Sequence, residues 1–228
     1  MTISIEYPFI LVNLKTYKES LGAKAVALAS IAKDVSRETG VCIAVAPQTI
    51  DLSPVIKTVN LPVFAQHIDP VGYGRFTGHI LPEAIAEIGC VGTLINHSER
   101  LLPLDTIEAT VKRAKEAGLF QVVCVDSVET GRSVAPFSPD VIAIEPPELI
   151  GSGIPVSKAK PEVVSGSVAQ CRNVNPDVQV LCGAGITSGE DVKAALLLGS
   201  AGVLVASGVV KAADPKAKLL DLAEAMRE

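Results

Sequence analysis

A closed barrel of eight parallel strands, each followed by a helix, is the fold class this sequence predicts, and three observations predict it. Short β-branched apolar runs recur eight times in 228 residues, close to one per ~30 residues, the length of a strand–helix–strand unit. The runs are rich in Val, Ile and Leu with little polar alternation, as strands buried on both faces are. No G-x-G-x-x-G follows the first run and no Walker loop occurs anywhere, which disfavours the open doubly wound sheet that the same alternation could build.

In chain order the predicted strands are Phe9–Asn13, Val41–Ala46, Leu61–Gln66, Val91–Asn96, Phe120–Val125, Val141–Glu145, Val178–Cys182 and Ala201–Ala206. Between the first two, Ala25, Leu28, Ala29, Ala32 and Val35 fall at helical spacing. Asp105 with Glu108, and Thr187 with Glu190, read as capping boxes. Pro82 and Pro215 sit where a first-turn proline is tolerated. Asp126–Pro139, between strands 5 and 6, is short for a parallel crossover. Its helix is therefore expected to be little more than a turn, with Val134, Ala135 and Phe137 left as exposed apolar surface unless neighbouring helices lean in. No linker or charge block divides the chain, so residues 1–228 read as a single (β/α)8 barrel domain.

Composition excludes several functions. Apolar residues make up 48% and charged residues 20%, ample for a core and unlike a disordered chain. A net charge of −5 argues against nucleic-acid binding, because no basic surface is available to neutralise phosphates. Five cysteines without a C-x-x-C spacing suggest neither a disulfide framework nor a zinc site. No apolar stretch spans a membrane and the first residues do not form a secretion signal, so a cytoplasmic protein is expected.

A barrel of this kind does its chemistry at the C-terminal ends of its strands. Strand 1 ends in Asn13-Leu14-Lys15, strand 4 in Asn96-His97-Ser98-Glu99-Arg100, and strand 6 in Glu145-Pro146-Pro147-Glu148. Each ionisable group alone has a bland reading as a loop, cap or structural residue. Three at one rim point to a site. Gly151-Ser152-Gly153, Gly183-Ala184-Gly185 and Ala206-Ser207-Gly208 follow strands 6, 7 and 8, and such turns let backbone N–H groups approach an anion closely. An acidic protein can thus hold a phosphate through oriented dipoles together with Lys15. Ser98 reads as a helix-start cap, and Glu99 as a buried carboxylate paired with Lys15 or Arg100. His67 and His79 have no spacing that forms a metal site.

These pieces, with Ala65-Gln66-His67, Ala143-Ile144-Glu145-Pro146 and Cys182-Gly183-Ala184-Gly185, resemble the triosephosphate isomerase family in its short archaeal branch. The resemblance implies the TIM barrel and an aldose–ketose isomerisation of glyceraldehyde 3-phosphate and dihydroxyacetone phosphate through an enediolate, in glycolysis and gluconeogenesis. It implies Glu145 as base, His97 as a neutral electrophile, and Asn13 and Lys15 as substrate contacts. Ile150, Gly151, Gly185, Ala206 and Ser207 would line the phosphate site. No metal or organic cofactor is implied. The chain departs from the bacterial and eukaryotic pattern at Asn96 for Gly, Pro147-Glu148 for Val-Trp, Cys182 for Tyr, and Ala206-Ser207 for Gly-Gly. The 12-residue connection Pro146–Ser157 reads as a lid. The loop His67–Ile80, with Tyr73 and Phe76 among glycines, is expected to dock into a neighbouring subunit, in a homo-oligomer for which the family favours a tetramer over a dimer.

Two other readings share this architecture. A barrel that binds a sugar phosphate as a sensor needs the cradle but no positioned carboxylate. An indole- or aminoimidazole-type phosphate isomerase or synthase needs a wide mouth with aromatic stacking, which 4% aromatic residues and no Trp do not supply.

Overall fold

A computed structural model describes residues 4–146, 149 and 154–227. Its eight parallel strands are β1 (Phe9–Asn13), β2 (Cys42–Ala46), β3 (Phe64–Ala65), β4 (Gly92–Ile95), β5 (Phe120–Val125), β6 (Val141–Ile144), β7 (Gln179–Cys182) and β8 (Gly202–Val205). Each strand lies beside its sequence neighbours, and β1 also pairs with β8. A single parallel bridge, Val45 to Val63, closes the ring between β2 and β3, with the Val45 N–H donating to Pro62 O at 3.1 Å. All eight predicted runs become strands. The third is cut to two residues, and Pro62 within that run has no N–H to give to a ladder.

Alternation along the strands sorts side chains into two cores. Phe9, Leu11, Ala44, Phe64, Leu94, Val122, Cys124, Val141, Ala143, Leu181 and Leu204 fill the barrel interior. Their neighbours Ile10, Val12, Ile43, Val45, Ile142, Ile144 and Val180 point outward into a second layer beneath the helices. The period of two that turns Leu11 and Ala143 inward carries Asn13 and Glu145 to the inner rim one step further along. Strand parity places the site.

The helices are α1 (Ala23–Thr39), α2 (Leu52–Thr58), α3 (Pro82–Glu87), α4 (Leu104–Glu116), α5 (Val128–Val134), α6 (Val156–Ala159), α7 (Pro161–Val174), α8 (Gly189–Leu197), α9 (Ser207–Val210) and α10 (Pro215–Glu224). The predicted apolar face of α1 is its buried face, and Pro82 and Pro215 open α3 and α10. No helix among the described residues is long and apolar enough to cross a membrane.

Three expectations are corrected. Asp105 does not cap α4: the helix starts two residues earlier than that cap would place it, after Pro103, and Asp105 lies in its first turn. The capping box of α8 is displaced by one residue to Ser188 and Asp191, and the Asp191 carboxylate also accepts from Thr187 N–H and Oγ1 at 3.0 and 3.1 Å. The helix between β5 and β6 is longer than a single turn. Ser127 caps seven residues of α5, a 3-10 turn over Ala135–Phe137 follows, and Val134 and Ala135 are wholly buried with Phe137 half-buried. Close approach of α7 explains the burial: Cys171 Sγ lies 3.3 Å from where a Cβ on Gly131 would stand, so glycine there lets the two helices meet. The neighbouring helix covers the sector that the short crossover was expected to expose.

Candidate active site

Asn13, Lys15, His97, Glu145, Gly185, Ala206 and Ser207 line one cleft at the C-terminal ends of the strands. Seven of the nine residues expected from the sequence are thereby brought together. The other two, Ile150 and Gly151, lie outside the described residues, as does half of the connection expected to form a lid.

Lys15 is buried and has a left-handed backbone, φ +48°, a conformation that strains a side-chain-bearing residue. Hydrogen bonds on both sides hold it there. Its N–H donates to Asn13 Oδ1 at 2.9 Å, and its carbonyl accepts from Gln66 Nε2 at 3.1 Å, the same amide that donates to Ala46 O at 2.9 Å. The ammonium meets Glu99 Oε1 at 2.9 Å. Glu99 takes the expected partner but is 60% exposed rather than buried, because it stands on the turn after β4 above the rim.

His97 is buried beside this pair. The backbone N–H of Glu99 donates to its Nδ1 at 3.1 Å, so Nδ1 is an acceptor and a neutral ring carries its proton on Nε2. Burial lowers the His97 pKa to about 4, with the Lys15 ammonium adding to the effect and Glu99 opposing it. The helix α4 begins only at Leu104, so a helix N-terminus is not what depresses the pKa. For the same reason Ser98 sits in a turn and does not cap a helix.

Glu145 follows β6 and its carboxylate is buried, with Oε2 3.7 Å from His97 Nε2. Among the described residues Oε2 has no hydrogen-bond partner. Burial raises its pKa to about 7, while the Cys124 thiol that donates to the carboxylate, and Lys15, pull the other way. A carboxylate that must pay desolvation and is left one bare oxygen facing an imidazole N–H is arranged for proton transfer.

Four contributors were not assigned from sequence. Gln66 fixes Lys15, and Cys124 supports Glu145. Asn96 adopts φ +59° and anchors the turn that carries His97. Gly183 leaves room for Glu145, since a Cβ there would lie 2.4 Å from its Cγ. Cys182, at the position of a family tyrosine, is buried with its sulfur against the backbone N–H groups of Ala184 and Ser157. It therefore joins the turn after β7 to α6.

On the anion side, the first intrahelical bonds of α9 run from Val209 and Val210 N–H to Ala206 O. The N–H groups of Ser207 and Gly208 consequently have no intrahelical acceptor. Gly185, φ +73°, packs so tightly that a Cβ would lie 1.9 Å from Ile154 O, which restricts the position to glycine. Lys218 of α10 donates to Thr187 O at 2.7 Å and braces the same turn.

The chain is similar to known proteins over nearly its whole length. The triosephosphate isomerase family model matches residues 8–226. The triosephosphate isomerase of Methanosarcina acetivorans is 60% identical over 215 residues, covering 94% of this chain and 97% of its own. That of Methanocaldococcus jannaschii is 55% identical over 213 residues, covering 93% and 97%. The crystal structure of triosephosphate isomerase from Bartonella henselae superposes with a TM-score of 0.77 over 97% of this chain and 99% of that one. At 21% identity that last likeness supports the barrel fold alone. With nearly the whole length matched, and archaeal relatives sharing more than half of its residues, this chain is an isomerase belonging to the triosephosphate isomerase family.

Proposed function

We propose that the chain interconverts glyceraldehyde 3-phosphate and dihydroxyacetone phosphate through an enediolate, as a cytoplasmic enzyme of glycolysis and gluconeogenesis working without a cofactor. The observation that carries this reading is the pairing across 3.7 Å of an unpartnered Glu145 Oε2 with the protonated edge of His97. Glu145 takes the proton from the carbon beside the carbonyl while His97 Nε2–H donates to the carbonyl oxygen. The electron pair of the broken C–H bond forms the enediol double bond, and the carbonyl pair moves onto oxygen. His97 Nε2 gives its proton to the former carbonyl oxygen and takes one from the neighbouring hydroxyl, and return of the carbon proton from Glu145 to the former carbonyl carbon completes the isomerisation. A base titrating at about 7 suits proton transfer in both directions near neutral pH.

Lys15 supplies fixed positive charge to the developing oxyanion and to the phosphate, and Asn13 holds Lys15 in register. Gly185, Ala206 and Ser207 present the phosphate cradle, with Ile150 and Gly151 completing it. The protein acts as one domain in a homo-oligomer, with a tetramer favoured over a dimer. The loop bearing Tyr73 and Phe76 supports the first subunit contact. The family resemblance alone supports the second, since Val134 and Ala135 are buried within the subunit.

An assay coupled to reduction of dihydroxyacetone phosphate, started with glyceraldehyde 3-phosphate, tests the reading. Glu145→Gln should keep phosphate binding and lower kcat by about 10²–10⁴-fold, the usual contribution of acid–base catalysis. Near-parental turnover in that variant would remove Glu145 as the base.

A further inference from the structure

Asn96 is buried and left-handed, φ +59°, between the last residue of β4 and His97. The β4–β5 ladder ends at the pair Ile95 and Val123. Beyond it, the side chain of Asn96 takes over from the backbone. Its Nδ2 donates to Cys124 O at 2.9 Å, and its Oδ1 accepts from Leu102 N–H at 2.8 Å. One amide thus closes the turn from 96 to 102 at both ends and fastens it to β5. Inside that closed turn, Arg100 N–H donates to His97 O at 2.7 Å and Glu99 N–H donates to His97 Nδ1 at 3.1 Å. The β5 residue whose carbonyl holds Asn96 is the one whose thiol touches Glu145.

We infer that Asn96 is a positioning residue which sets the separation of His97 from Glu145, by tying the turn that carries the imidazole to the strand residue that supports the carboxylate. The inference rests on the reading of His97 and Glu145 as the reacting pair. An asparagine suits this place for two reasons: it tolerates the left-handed conformation better than most side chains, and it offers a donor and an acceptor at once. A glycine would adopt the same backbone more easily and would make neither bond.

Asn96→Gly separates the two properties, because it keeps the backbone and removes both bonds. Its kcat should fall by about 10²-fold with KM little changed, the size of effect that a small misplacement of a reacting group produces. The same substitution made in a His97→Gln background should change kcat by less than about twofold, since no imidazole is left to position, a non-additivity diagnostic of action through another residue. Parental kcat in Asn96→Gly overturns the inference, and so does an equal loss in both backgrounds, which would mark a merely structural role. Should the glycine variant fail to fold, Asn96→Asp keeps the acceptor for Leu102 and loses the donor to Cys124. A lowered kcat at retained KM then supports the inference and an unchanged kcat overturns it. If His97→Gln alone turns over like the parent, the reading of His97 falls and this inference falls with it, an outcome distinct from failure of Asn96→Gly beside a slow His97→Gln.

Discussion

His97 Nε2 and Glu145 Oε2 face each other across 3.7 Å, and burial moves the two groups in opposite directions, the imidazole down to about 4 and the carboxyl up to about 7. Both become harder to charge, which keeps the pair neutral or singly charged in the dry rim of the barrel.

The two shifts act on stability with opposite signs. Glu145 is raised above its ordinary 4.5, so its contribution is full below 4.5 and is lost as pH rises through 7. His97 is lowered from 6.5, so its contribution is full above 6.5 and is lost as pH falls through 4. Glu145→Gln removes only the alkaline loss. That variant should therefore gain stability relative to the parent between about pH 4.5 and pH 8, reaching on the order of 3 kcal/mol at the shift involved. Urea midpoints measured across this range check it, and parallel curves for the two proteins would contradict it. Isotope-edited infrared spectra of the unliganded protein should place the Glu145 carboxyl midpoint near 7.

Gly183 makes a second prediction. A Cβ at this position would lie 2.4 Å from Glu145 Cγ and 3.1 Å from Cδ, with backbone on its other side at Ile144 O. The carboxylate must move for an alanine to fit. Gly183→Ala should lower kcat by about 10²-fold, as expected for a displaced reacting group. It should also bring the Glu145 carboxyl pKa down, because a side chain pushed out of its pocket regains water. Kinetics paired with the same infrared titration checks both parts; parental kcat in a folded variant would refute it.

The barrel was legible because near-continuous apolar runs at a fixed interval have few other packings, and the rim residues because Asn13, Lys15, His97 and Glu145 interrupt or end such runs. What could not be read are relationships across long chain separations. Gln66 reads as a strand-end amide until its partner, the Lys15 carbonyl 51 residues away, is known. Cys124 is one more apolar residue of β5 until Glu145 lies against it, and Gly183 is an ordinary turn glycine until the neighbouring strand supplies a carboxylate. Local signals failed by small register errors. Thr187 and Ser188 are both acceptable caps, and Asp191, bonded to both, selects Ser188. The exposure expected for Val134 and Ala135 followed from chain length alone, whereas the glycine–cysteine contact between α5 and α7 decides it.

The third prediction concerns assembly and turns on the loop after β3. Asp69 pins its two ends: Asp69 N–H donates to Ile80 O at 2.9 Å, and Ile80 N–H donates to Asp69 Oδ2 at 2.6 Å. Arg113 of α4 grips the loop's first turn through Val71 O at 3.0 and 3.1 Å. Between these anchors Tyr73 is 78% exposed, and Phe76 is 45% exposed with its ring edge against His79. A loop held in shape while it presents two of the chain's eight aromatic residues to water has the makings of a preformed contact, since ordering it on association carries little entropic penalty. Light scattering across a dilution series should show about 95 kDa, four times the 23.7 kDa of one chain, under closed symmetry. Phe76→Asp should break the contact made by this loop and lower the mass, with the far-ultraviolet spectrum of the barrel unchanged, because Phe76 is exposed and belongs to neither core cluster of the described residues. A parent protein at about 47 kDa would retire the fourfold assembly and keep the loop contact. A parent that remains near 24 kDa at every concentration would retire both.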